Sequence, residues 1–128
     1  MLITTEWLDE LDLNDTTALA NGVAKLLDSK KGKDVVVVDV RGKTVVADYF
    51  VLASATSTTA VRALTDYVCD ELEKRGVKIT HRDVDPKWAA VDVGGVIVHV
   101  FYDELREFYS IERLWSDGTN VKAFKEVD

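Results

Sequence analysis

The run Trp88-Ala89-Ala90-Val91-Asp92-Val93-Gly94-Gly95-Val96-Ile97-Val98-His99-Val100-Phe101 decides the fold. Two β-rich stretches meet at Gly94-Gly95, a pair that tolerates the backbone angles of a two-residue hairpin turn. That turn sets the register. Val93 faces Val96, Asp92 faces Ile97, Val91 faces Val98, Ala90 faces His99, Ala89 faces Val100 and Trp88 faces Phe101. One side of the hairpin then carries Ala89, Val91, Val93, Val96, Val98 and Val100, a core surface. The other side carries Trp88, Ala90, Asp92, Ile97, His99 and Phe101, which sets a carboxylate and an imidazole among large rings. A polar group left unpartnered in such a layer costs on the order of 1–3 kcal/mol. Two readings stay open. In one, a helix covers this side, and Asp92 and His99, diagonal neighbours, satisfy each other. In the other, part of it is open and receives another protein, with Trp88 as the anchor and His99 orienting Asp92.

Upstream of the hairpin, residues 77–82 read as a short strand, and Asp83-Val84-Asp85 before Pro86 as a solvated turn. A two-carboxylate metal site there has no third ligand at a defined spacing. Thr56 or Ser57 caps a helix running to about Arg75, with Val61, Leu64, Val68 and Leu72 on one stripe and Gly76 ending it. Cys69, at the flank of that stripe, reads as a small core residue. Val35-Val36-Val37-Val38 is a buried strand and Tyr49-Phe50-Val51-Leu52 its neighbour, with Arg41-Gly42-Lys43 in the turn region. Before them, Asn14 or Asp15 caps a helix over 16–28 that presents Leu19, Val23, Leu26 and Leu27, and Lys30-Lys31-Gly32-Lys33 stops it.

Downstream, Asp103 caps a last helix over 104–115. Its apolar arc of Leu105, Phe108, Tyr109, Ile111 and Trp115 contains Glu112, with Arg106 and Arg113 at the border. A carboxylate in an apolar stripe is expensive unless paired, either within the chain or by a basic group from outside. The element order predicts an α/β domain with a mixed sheet of about five strands flanked by helices. Residues 1–14 form an acidic N-terminal extension and 117–128 a polar C-terminal tail around a domain over 15–116; both read as loosely held, with a short docking helix on Leu2, Trp7, Leu8, Leu11 and Leu13 as the alternative for the first.

Composition narrows the function. The chain has 128 residues, 16 basic and 23 acidic, for a formal charge of −7. Phosphates of free DNA would meet a repulsive field, whereas a basic protein surface is attracted. No run of about 18 apolar residues is present, so no membrane partner is expected. The acidic start has no signal-peptide pattern, and one cysteine forms no internal disulfide, which together point to the cytoplasm. Catalytic patterns are weak. Ala53-Ser54-Ala55-Thr56-Ser57 sits where a phosphate loop would, but holds no glycine. His81 and His99 lack a Cys/His cluster, and no glycine-bracketed nucleophile turn accompanies them. No enzyme and no cofactor are expected. The rival reading is a nucleotide-handling enzyme that uses Ser54, Thr56 and Asp83.

Trp88, the run Val91 to Phe101, Arg106, Tyr109, Ile111-Glu112 and Leu114-Trp115 together resemble the ribosomal silencing factors, also called Iojap-like proteins. Val37-Val38-Asp39-Val40, Asp48-Tyr49-Phe50-Val51 and Ser57-Thr58 fall in the family's order, so the likeness covers about 16–116. It implies a fold similar to nucleotidyltransferases without their catalytic carboxylates. It also implies binding to the large ribosomal subunit through the large-subunit ribosomal protein numbered fourteen. Docked there, such a factor sterically blocks joining of the small subunit and represses translation; off the ribosome it forms a homodimer. The rival within the same setting is a large-subunit maturation factor. Carried over residue by residue, the partner-binding set is Trp88, Asp92, His99, Arg106, Tyr109, Glu112 and Trp115. The chain departs from the family pattern at Ala55, Thr59-Ala60, Asp83 and Gly95.

Overall fold

The computed structural model describes residues 5–104 and 120–124. Helix α1 spans Thr16–Ser29, and the Asp15 carboxylate caps it by accepting from the Thr17 N–H at 3.0 Å. Strands β1 (Lys33–Asp39) and β2 (Tyr49–Ala55) follow, then helix α2 over Thr58–Glu73, capped by the Ser57 hydroxyl. Strands β3 (Ile79–Asp85), β4 (Trp88–Val93), β5 (Val96–Tyr102) and β6 (Val121–Ala123) complete the described elements. No described helix is long and apolar enough to cross a membrane.

The described strands form one sheet in the order β3-β4-β5-β2-β1-β6. Only β2 and β5 run parallel, because α2 and the β3–β4 hairpin intervene and supply the crossover a parallel pair needs. The other neighbours are antiparallel, so the sheet is mixed, as expected, with six strands in place of about five. The additional strand is β6, which pairs Val121 with Val38 and Ala123 with Val36. Its residues belong to the stretch expected to be a loose tail; the free edge of β1 gives their backbone groups partners.

The β4–β5 register matches the expected pairing throughout, from Trp88 opposite Phe101 to Val93 opposite Val96. Gly94 (φ 53°) and Gly95 (φ 90°) both take the left-handed conformation such a turn demands. Strand β3 runs three residues further than expected, to Asp85, because Pro86-Lys87 makes the turn into β4. Asp83-Val84-Asp85 is therefore strand, not turn.

Two apolar layers hold the sheet. The first joins α1 and α2 to Tyr49, Val51, Ala53, Ala89, Val91, Val93, Val96, Val98 and Val100. Cys69 is fully buried in it, and burial pushes its thiol pKa up, as suits a core residue. On the opposite side lies the second layer, built from Val36, Val38, Val40, Phe50, Leu52 and Phe101. Served by both layers, β2 is buried along its whole length. The N-terminal stretch joins the first layer: a 3-10 helix over Glu6–Glu10 buries Leu8 completely, and Trp7, Leu11 and Leu13 pack beside it. This stretch is docked rather than loose, since apolar side chains at 7, 8, 11 and 13 gain by leaving water.

Candidate functional site

The site grows from the register on the side of the sheet facing away from α1 and α2. Three rows cross it there. The first runs His81, Asp92, Ile97, Phe50; the second Asp83, Ala90, His99, Leu52; the third Asp85, Trp88, Phe101, Ser54. Each row passes from an exposed residue on β3, through a half-buried one on β4, to the buried layer. The face thus has an acidic, open end that grades into an apolar, closed one.

Trp88 stands at the boundary. Its ring stacks on Phe101 directly opposite, with centroids 5.4 Å apart. Its indole N–H donates to Nδ1 of His99 at 3.1 Å. His99 is 8% exposed and lies edge-on to Phe50 at 5.4 Å. Burial pushes the imidazole pKa down to about 4, so the ring is neutral near pH 7. Since Nδ1 accepts, the ring proton sits on Nε2.

The pairing of Asp92 with His99, which the covered-face reading requires, does not occur. His99 receives Trp88 instead, and the Asp92 carboxylate has neither hydrogen bond nor ion pair among the described residues. Half-buried, it keeps access to water, which removes the need for an internal partner. Its cross-strand neighbour is His81, not His99. Arg106, Tyr109, Glu112 and Trp115, the other residues singled out in the sequence, lie outside the described residues.

Asp83 and Asp85 were missed as members of this face. Once Pro86-Lys87 is taken as a two-residue turn, alternation places both beside Ala90 and Trp88. That proline was the signal. By contrast, Ser54 and Asp83 do not converge as an enzyme site would require: β4 and β5 separate their strands, roughly 14 Å at the usual strand spacing. Ser54 is also 1% exposed. No group of three or more His, Cys, Asp or Glu side chains suited to a metal occurs among the described residues.

The sequence profile of the family described as "Ribosomal silencing factor during starvation" matches residues 13–128. The chain belongs to this family. The ribosomal silencing factor RsfS of Bacillus subtilis is 32% identical over 97 residues, covering 74% of this chain and 82% of that one. The RsfS of Haemophilus influenzae is 35% identical over 101 residues, covering 77% and 99%. A mouse protein named "Mitochondrial assembly of ribosomal large subunit protein 1" is 34% identical over 100 residues, 73% of this chain and 43% of its own length. Among solved structures, a Chromobacterium violaceum protein superposes with a TM-score of 0.70 at 28% identity, covering 88% of this chain and 87% of that one. In this ribosomal silencing factor, the graded face carries Trp88 and Asp92 near the two ends of one strand.

Proposed function

We propose that this ribosomal silencing factor docks on the large ribosomal subunit, through the ribosomal protein numbered fourteen, and sterically prevents the small subunit from joining. The observation that carries the reading is the half-buried Trp88, with Asp83, Asp85 and Asp92 on the same face. An aromatic anchor flanked by carboxylates fits a basic protein surface that offers an apolar pocket. By the family resemblance, Arg106, Tyr109, Glu112 and Trp115 belong to the same partner-binding set. The role needs no chemistry, cofactor or membrane. It places the protein in the cytoplasm, as a repressor of translation that forms a homodimer when free.

Two measurements test it. Purified chain should co-sediment with large subunits and lower the yield of joined ribosomes when small subunits are added. Trp88→Ala should abolish both effects while the chain stays folded; joining that is unaffected by a bound, wild-type chain overturns occlusion. The name of the mouse relative favours a second reading, assembly of the large subunit. That role predicts binding to precursor particles with joining of mature subunits untouched.

A further inference from the structure

We infer that His99 is a positioning residue for Trp88: buried beneath the docking face, it holds the indole in its docking orientation by accepting the indole N–H. The inference rests on the docking reading above for its consequence, but its geometric core is independent of it.

Trp88 is the first residue of β4, directly after the Pro86-Lys87 turn, and its strand neighbour on the outer side, Asp85, is exposed. Stacking on Phe101 fixes the plane of the ring, with 21° between the two. A stacked indole can still slide or turn over within that plane, since dispersion has little directional preference. A directional contact removes that freedom. The indole N–H has one proton to give, and the acceptor it meets is Nδ1 of His99, 3.1 Å away.

His99 is itself immobilised. Phe50 lies edge-on to it at 5.4 Å, Phe101 is stacked at 6.0 Å, and Leu52 and Ala90 are its partners on the two neighbouring strands. An 8% exposed imidazole so enclosed is poorly placed to meet a docking partner itself. It acts through Trp88. A site held to within a fraction of an ångström by supporting side chains binds more tightly than a loose one, because less freedom is lost on association.

The test combines three variants. His99→Phe keeps a ring of similar size and removes the acceptor, His99→Asn restores an acceptor near the Nδ1 position, and Trp88→Phe removes the donor. The expected result is about a tenfold loss of large-subunit affinity in His99→Phe, recovery in His99→Asn, and no further loss when His99→Phe is added to Trp88→Phe. In the free protein, the Trp88 indole proton should exchange with water faster in His99→Phe and be protected again in His99→Asn. Equal losses from His99→Phe with and without Trp88→Phe, or unchanged affinity in His99→Phe, overturn the inference. If the wild-type chain does not bind large subunits at all, the docking reading fails on its own. The positioning is then judged by indole exchange, and protection that survives in His99→Phe refutes it.

Discussion

Arg75 and Glu71 meet at 3.2 Å one turn apart on α2 and its C-terminal end, with only 14% and 9% of their side chains exposed. The same guanidinium donates to the Thr5 carbonyl at 2.9 Å and to the Asp9 carboxylate at 2.7 Å. One side chain therefore ties the N-terminal stretch to the body of the domain, next to the buried Leu8. Arg75→Met removes the ties to Thr5 and Asp9 and one partner of Glu71, which keeps Lys74 at 2.8 Å; losing these charge-assisted hydrogen bonds costs roughly 2 kcal/mol. Urea unfolding should report that loss, and limited proteolysis should cut before residue 13 sooner than in the wild type. A loss under about 1 kcal/mol, in the range of an exposed ion pair, would show that the tie is unimportant.

Stability should fall on mild acidification. The unfolded chain takes up a proton on His99 near its ordinary pKa of 6.5, whereas the folded chain resists until about 4. Between those values the unfolded state binds more protons, so each step down in pH favours unfolding, to a total of about 3 kcal/mol. Glu71 adds to this lower down. Burial pushes its carboxyl up, but hydrogen bonds from Lys74, Thr5 and Arg75 outweigh that and hold its pKa below the ordinary value. Its contribution is present above the unfolded-state value and is lost as pH falls through the folded one. Urea titrations at pH 7.5 and pH 4.5 should differ by a few kcal/mol in the wild type. In His99→Phe the difference should shrink markedly, and an equal slope in that variant would exclude His99 as its source.

The hairpin was legible because two independent signals agree there. Strict alternation and the Gly94-Gly95 turn admit one register, and a slip by one residue would have put Trp88 and Asp92 into the helix-packed layer. The caps at Asp15 and Ser57 were legible for a similar reason, since each precedes a helical apolar stripe. The last three residues of β3 were not, because an edge strand whose last six residues are exposed has no core pattern to show where it ends. At the site, spacing identified neighbours but not partners. His99 is diagonal to both Trp88 and Asp92, and the sequence cannot say which of two equal diagonals the twist brings within reach. Exposure settled it: half-buried Asp92 stays open to solvent, whereas the indole N–H turns inward to the ring nitrogen.

The end of α1 offers room for stabilisation. Lys31 takes φ 69°, the left-handed conformation that ordinary residues adopt at a cost, while Gly32 follows with its N–H 2.7 Å from the Leu27 carbonyl. Lys31→Gly should raise stability by up to about 1 kcal/mol, the relief being partly offset by the greater entropy of glycine when unfolded. Gly32→Ala should do the reverse, because a Cβ there would stand 2.7 Å from that same carbonyl oxygen. Thermal unfolding of the two variants checks the pair, and a stabilising Gly32→Ala would contradict the close approach.

Charge and apolar contact should separate kinetically at the docking face. Asp83, Asp85 and Asp92 are exposed or half-buried around Trp88, so their fields reach into solvent and bias the approach of a basic surface. Reversing all three to Lys changes the net charge by +6, from −7 to −1. The association rate with large subunits should then drop by about tenfold or more at low salt, and lose most of its dependence on ionic strength. Trp88→Ala should behave differently. An anchor of this kind contributes about 2 kcal/mol or more once desolvated, so dissociation should speed up by about 30-fold while association changes little. Stopped-flow binding over a salt series distinguishes the two effects. A wild-type association rate that is indifferent to salt would mean that the carboxylates do not steer the encounter, leaving Trp88 to account for the docking alone.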